Sequence, residues 1–167
     1  PLDGSGIKRL GAPQIFSPAM TDFEQTAEDP RIIYDAPNKT WYMTYTANGI
    51  VSGGSKPPMN RHQGIATSTD PLAHGSWKRR CTGAAPCLPP GLKSGAMLRR
   101  PDPPHYMFVY DLTKTCPSNP GSVCRHTVVA ESNDLLSWHL ADGDNVLLPR
   151  RPGMWDAGLI EPGPPPL

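Results

Sequence analysis

The sequence predicts an all-β chain of short antiparallel strands arranged as a repeat, and three observations carry that expectation. Pro and Gly are abundant, at 22 and 16 of 167 residues, which disfavours long helices and favours strands joined by turns. Apolar, β-branched and aromatic residues fall in short runs bounded by Gly, Pro, Asn and Asp. The pattern also recurs at an offset of 64: Tyr42-Met43 falls on Tyr106-Met107, and Ala66, Ser68, Asp70 and Leu72 fall on Ala130, Ser132, Asp134 and Leu136. Ile65 meets Val129, and Trp77 finds its counterpart three residues early, at Trp138. Each unit reads as four short strands closed by Ser-x-Asp-x-Leu and Ser-Trp. That is the plan of a propeller blade, with a period longer than the ~40–50 residues of WD40 or kelch blades.

Residues 1–27 read as an approach segment, with Gln14-Ile15-Phe16 at best a short strand. The stretch Glu28-Asp29-Pro30-Arg31-Ile32-Ile33-Tyr34 organises the rest of the chain. Pro30 fixes its own φ and disfavours the helical region for Asp29, so Asp29 is expected to be extended. Ile32-Ile33-Tyr34 reads as a buried strand, stopped by Asp35-Ala36-Pro37. Trp41 to Thr46 forms a second strand, a polar loop runs from Asn48 to Arg61, Gly64 to Ser68 forms a third, and Ser76 to Arg79 a short fourth.

The first blade thus spans 28–80, the second 92–140, and a third begins within 144–167, near Asn145-Val146-Leu147-Leu148. Closure of a propeller needs at least four blades. The chain therefore reads as an incomplete propeller domain over 1–167, about two blades plus the start of a third. Trp77 and Trp138, at equivalent blade positions, read as structural.

Composition excludes several function classes. A formal net charge of +1 gives no field to draw nucleic acid or an anionic membrane, and no apolar run approaches the length of a membrane span. There is no nucleophile elbow, no P-loop and no dinucleotide fingerprint. His62, His74, His105, His126 and His139 show no metal-ligand spacing, and the paired arginines 79–80, 99–100 and 150–151 read as solvated charge.

The four cysteines form two close pairs, Cys81 with Cys87 and Cys116 with Cys124, at spacings unlike those of zinc sites. Two local disulfides clipping surface loops fit these positions better than four reduced, buried thiols. Together with the sequon Asn38-Lys39-Thr40, they point to an oxidising, secretory destination.

The repeat also aligns the polar residues that lead into each innermost strand. Asp29 precedes the first, Lys93 the second, and Trp155-Asp156 and Glu161 flank the third. In successive blades these positions ring one end of the channel, so acid, base and cation are expected to converge on one pocket. The competing reading is that Glu28 and Asp29 are ordinary turn acids facing water.

Five segments in order carry a resemblance: Glu28-Asp29-Pro30-Arg31-Ile32; Trp41 to Ala47; Ile65 to Asp70; Lys93-Ser94-Gly95-Ala96; and Glu161-Pro162-Gly163-Pro164-Pro165-Pro166. From about Glu28 to Leu167 the chain resembles glycoside hydrolase family 130, five-bladed β-propellers that act on β-mannosides. The resemblance implies cleavage with inversion at a mannosyl anomeric carbon, by hydrolysis or by phosphorolysis. It places the family's acid on Asp29 and the base of its hydrolytic members on Glu161. Lys93 would belong to the cations that hold phosphate, with Arg61, His62 and Arg79 as candidate companions. The cysteine-bearing loops look like additions to the bacterial pattern and point to a eukaryotic relative.

Glu28, Arg31, Lys93, Trp155 and Asp156 are the expected substrate-binding residues. The implied partner is an oligosaccharide or glycan, with no cofactor beyond inorganic phosphate as a co-substrate. An inverting hydrolase needs one carboxylic acid and one carboxylate ~6.5–9.5 Å apart; a phosphorylase needs only the acid and a set of cations. Asp29 must be protonated when substrate binds, and Glu28 beside it, or burial, is expected to favour that. Arg31 is expected to grip substrate or the blade. Trp41, Tyr45 and Trp155 offer flat faces to sugar C–H groups, although Trp41 and Tyr45 also suit ordinary packing. The alternative is a propeller that binds glycans without turning them over, or an inactive relative. Whether Asp29 and Glu161 face one pocket separates the two.

Overall fold

The structure, a computed structural model, describes residues 16–50, 59–113, 115–116, 119–123, 126–142 and 146–165. Among them there is no helix. The strands are β1 (Thr26–Asp35), β2 (Thr40–Ile50), β3 (Met59–Ser68), β4 (Lys78–Arg79), β5 (Leu92–Leu98), β6 (His105–Asp111), β7 (Thr115–Cys116), β8 (Asn119–Val123), β9 (His126–Ser132), β10 (His139–Leu140) and β11 (Val146–Leu148). Two antiparallel meanders result, β1-β2-β3-β4 and β5-β6-β9-β10, with a separate β7-β8 hairpin inserted into the second. The chain is all-β, as its composition and periodicity predict.

Strands β2 and β3 run further than expected, pairing from Trp41 with Ser68 out to Ile50 with Met59, so ladder replaces both ends of the expected loop. The segment read as the opening of a third unit contains β11, whose Val146 and Leu148 pair with Val128 and Thr127 on the edge of β9 that β10 also uses. Gln14 and Ile15 lie outside the described residues, and Phe16 is not in a strand.

The repeat holds at the level of single hydrogen bonds. Asp70 N–H donates to Ser68 Oγ at 3.0 Å and Asp134 N–H to Ser132 Oγ at 3.2 Å. Each aspartate then caps the turn by accepting from the amide two residues on, Leu72 at 3.2 Å and Leu136 at 2.8 Å. Trp77 Nε1 donates to Pro71 O at 3.1 Å, and Trp138 Nε1 donates to Leu135 O, the equivalent carbonyl, at 3.0 Å. Both indoles are buried, so their structural role is borne out. Burying an indole requires a partner for its N–H, and the turn provides it.

The first strand of each sheet carries a bulge at the same place. In β1 the register shifts between Glu28, opposite Thr46, and Arg31, opposite Thr44, so Asp29-Pro30 together face one residue. In β5 it shifts between Lys93, opposite Tyr110, and Ala96, opposite Phe108, so Ser94-Gly95 together face one residue. Asp29 has φ of 53° and Ser94 of 55°. Asp29 is therefore left-handed, not extended. Pro30 has no N–H to give a ladder, and the bulge that accommodates it turns the preceding residue over. The acids also lie inside a strand that starts at Thr26, rather than at its mouth.

The Ile32-Ile33-Tyr34 run is only half buried, contrary to expectation. Ile32 and Tyr34 are each 46% exposed, because β1 is an edge strand whose alternate residues leave the core. They line a cleft of about 550 Å³ with Met97, Arg99 and Pro164.

Side chains of the first sheet bolt it to the second bulge. Thr44 Oγ1 donates to Gly95 O at 2.5 Å, and Gln63 Oε1 accepts from Gly95 N at 2.6 Å. Thr46 Oγ1 accepts from Ser94 N at 3.2 Å. Thr44, Thr46 and Gln63 are all about 1% exposed. At the far end of the strands Asp35, equally buried, pairs with Arg99.

A third lock holds the approach segment. Glu24 is fully buried, takes a bidentate bond from Arg79 and accepts from Tyr45 Oη at 2.8 Å. Burial, then the Glu24 charge, pushes the Tyr45 hydroxyl up, so it stays protonated and donates.

Cys81 and Cys87 form the expected disulfide, their Cα atoms 5.2 Å apart. Cys124 lies outside the described residues, and with it the expected pairing to Cys116.

This packing has two measurable effects on stability. A Cβ at Gly95 would sit 2.5 Å from Met107 Sδ and 2.6 Å from Gln63 Oε1. Gly95→Ala should lower unfolding stability by about 1–3 kcal/mol in urea titration, and an unchanged midpoint would show that the bulge is not tightly held. Replacing Cys81 and Cys87 together with alanine opens a short loop and should cost about 2 kcal/mol, read as a matching shift in the same titration.

Candidate functional site

The bulge in β1 aims Asp29 toward the second sheet, where the bulge in β5 presents Ser94. The pleat alternates along each strand, and a residue in a left-handed kink leaves that alternation and points where a ladder residue does not. Ser94 Oγ lies 3.3 Å from Asp29 Oδ2 and also donates a short hydrogen bond to Glu161 Oε1. Lys93 Nζ forms an ion pair with the same Glu161 oxygen, lies 3.1 Å from Ser94 Oγ and 4.0 Å from Asp29 Oδ2. Thr46 Oγ1, 3.4 Å from Ser94 Oγ, completes the base of the cluster.

The segment from Ile160 to Gly163 forms its third wall. Arg31 donates to Pro162 O at 2.7 Å and Gly163 O at 2.8 Å, and also to Asp29 O at 3.1 Å. Thr127 Oγ1 donates to Ile160 O at 3.0 Å. Strands β1, β5 and β9 thus all hold this segment, and they place Glu161 at the junction of both sheets.

Lys93 and Arg31 are the two cations of the cluster, and both act on Glu161. Burial pushes the Glu161 carboxyl up, but hydrogen bonds from Lys93 and Ser94 and the charges of Lys93 and Arg31 outweigh it. The net shift is downward, so Glu161 is ionised at neutral pH. The Asp29 side chain is 45% exposed, against 28% for Glu161 and 16% for Lys93, so Asp29 is the group that an arriving molecule meets first.

Of the residues expected from sequence, the structure brings together Asp29, Glu161, Lys93 and Arg31. Arg31 is spent on the backbone of the 162–163 segment, which matches a grip on the protein itself. Glu28 is elsewhere: its carboxylate accepts from Thr26 Oγ1 at 3.3 Å and lines a separate cleft with Pro18 and Met43. The bulge turns Asp29 over while Glu28 stays in the ladder opposite Thr46, so the neighbouring acid in sequence is not a neighbour in space. Trp155 and Asp156 line a cleft of about 550 Å³ together with Glu161, while Asp29, Lys93 and Arg31 are not among its lining residues.

Among the candidate companions of Lys93, Arg79 is committed to Glu24, and His62 is buried and stacked on Phe23 at 4.4 Å. Burial pushes His62 below its usual value. Arg61 faces Asn48 in the ladder, its carbonyl accepting from Gly91 N. Tyr45 is buried and Trp41 packs at a tilt against the Tyr34 ring, so both serve packing.

Sequence reasoning does not find Ser94 and Thr46. An offset of 64 sets Asp29 against Lys93, whereas the paired bulges set it against Ser94, 65 residues on. The available signal is in the dipeptides themselves: Asp29-Pro30 and Ser94-Gly95 each carry a residue poorly suited to a ladder. Among the described residues, no group of three His, Cys, Asp or Glu side chains converges as a metal site. No protein-family model, no curated protein and no solved structure matches this chain.

The depressed Glu161 carboxyl predicts a pH dependence. A carboxylate held below its ordinary value of 4.5 stabilises the fold above that value, and the contribution is lost as pH falls through the folded-state value. Wild type should therefore exceed Glu161→Gln in unfolding stability at pH 7, with the gap closing as pH drops below about 4.5. A gap that stays constant across the titration would mean that the pair with Lys93 contributes nothing.

Proposed function

We propose that the two sheets are neighbouring blades of an incomplete five-bladed propeller of the glycoside hydrolase family 130 type. On this reading the Asp29 cluster cleaves a β-mannosidic bond with inversion. The observation that carries it is the meeting of Asp29 and Glu161 on one hydroxyl, with Lys93 between them, although the three come from separate segments of the chain. A propeller that only binds glycans would keep its fold and affinity with either acid elsewhere, which is why this convergence favours an enzyme.

Asp29 is the general acid. It is the exposed carboxyl of the pair, positioned by backbone geometry and free to reach a leaving-group oxygen. Glu161 is ionised and suits a base, but it is held by Lys93 and Ser94. The nearest oxygens of the two carboxylates, joined through one hydroxyl, are closer than the ~6.5–9.5 Å that seats a water between acid and base. Hydrolysis therefore requires Glu161 to swing off Ser94 as substrate enters. Phosphorolysis makes a smaller demand, because phosphate brings its own nucleophilic oxygen and would displace Glu161 from Lys93.

A secretory destination fits the Cys81–Cys87 disulfide, since such bonds persist in oxidising compartments. Asn38 of the sequon is exposed on the β1–β2 turn, at the opposite end of β1 from Asp29. Among the described residues, no helix is long and apolar enough to cross a membrane.

The test is turnover of aryl and oligomeric β-mannosides, with and without inorganic phosphate, following the anomer released. Asp29→Asn should lower kcat/KM at least 100-fold while leaving the unfolding midpoint in place, a loss in the ~10²–10⁴ range of general acid catalysis. Dependence on phosphate, with a raised KM for phosphate in Lys93→Ala, would assign phosphorolysis. Rate lost in Glu161→Gln and partly restored by azide would assign hydrolysis. Undiminished activity in Asp29→Asn ends the assignment.

A further inference from the structure

We infer that the cleft between Leu148 and Glu161 is a second sugar subsite, separate from the one that holds the cleaved residue. A pyranose ring lies on the Trp155 indole and gives a hydroxyl hydrogen to Asp156. The inference rests on the glycoside reading of the Asp29 cluster and adds to it how the rest of the substrate is held.

Trp155 is 90% exposed, more than any other large apolar residue described. An indole left in water by a chain that buries Trp77 and Trp138 is a surface awaiting contact. It is also firmly presented. Consecutive turns, Met154 N to Arg151 O at 3.1 Å and Ala157 N to Met154 O at 3.0 Å, bracket it. The Arg151 guanidinium lies 5.9 Å from its ring centroid and donates to Asp156 Oδ2 at 2.7 Å.

Asp156 supplies the second, independent observation. Its side chain is 8% exposed, it lines the same cleft, and its Oδ1 is buried with no hydrogen-bond partner. A buried carboxylate oxygen without a donor is costly, and the arrangement persists where a ligand provides the missing hydrogen.

The two features together select the ligand. An apolar molecule would cover the indole and leave Oδ1 unpaired. An anion would meet the Asp156 charge. A sugar has a C–H face for the ring and hydroxyl donors at its rim. The cleft's volume of about 550 Å³ lies in the range of small-molecule sites. Glu161 belongs both to this cleft and to the Asp29 cluster, so the two subsites are contiguous and one oligosaccharide would span them.

The test uses the Asp29→Asn protein, which should turn substrate over too slowly to disturb a titration, titrated calorimetrically with mannose, β-mannobiose and β-mannotriose. Adding Trp155→Ala should weaken mannotriose binding about tenfold and Trp155→Phe less, with mannose bound alike by all three. Trp155 emission should also move to shorter wavelength with mannotriose and not with mannose. The exposed position of Trp155 keeps these variants folded. Equal mannotriose affinity in the three proteins overturns the subsite and leaves the glycoside reading standing. Absence of binding of any of the sugars to any variant overturns both.

Discussion

Both backbone groups of Gly95 are held by side chains of the other sheet, and the rest of the arrangement depends on that bond pair. Thr44 and Gln63 leave the bulge in β5 no freedom to slide, and the absence of a side chain at Gly95 lets Met107 and Gln63 close over it. With that bulge fixed, Ser94 is fixed, and with Ser94 the positions of Asp29 and Glu161. Buried polar groups that are fully paired specify one register, whereas an apolar contact of the same area would tolerate several. The two sheets are thus aligned by hydrogen bonds at the site and by the Asp35–Arg99 pair at the opposite end of the strands.

Much of this is legible in the sequence, and for definite reasons. The Ser-x-Asp-x-Leu turn and the Trp after it are local devices, so their recurrence reports a recurring structure; the indole bonds to Pro71 and Leu135 show why. The Cys81–Cys87 bridge is legible because the short loop leaves the pair little choice. The features that sequence does not reveal depend on register. One inserted residue moves a strand's side chains to the other face, and no offset computed over whole units shows where the insertion lies. That is why the offset pairs Lys93 with Asp29, and why adjacency makes Glu28 look like its companion. The run Ile32-Ile33-Tyr34 misleads for a related cause: three apolar residues do not distinguish a central strand from an edge strand. Glu24 gives no signal, since a lone acid in an approach segment ordinarily faces water.

On the proposed reading, the site is an internally paired cluster that must be opened to work. Lys93 satisfies Glu161 in the resting arrangement, and substrate or phosphate would redistribute that pairing rather than fill an empty hole. The hydrogen bonds from Arg31 to Pro162 and Gly163 then have a purpose beyond packing. They keep the segment that carries Glu161 in place while its side chain moves, so a change of partner need not become a change of backbone.

The two tryptophan turns differ in length yet end on the same bond, with the indole six residues from its acceptor in one unit and three in the other. Chain length between those anchors is therefore a free variable. An insertion there is absorbed within the loop, because the buried ring and the carbonyl it meets are each held independently of what joins them. Such turns are where the two units differ in length while each keeps the bond that buries its indole.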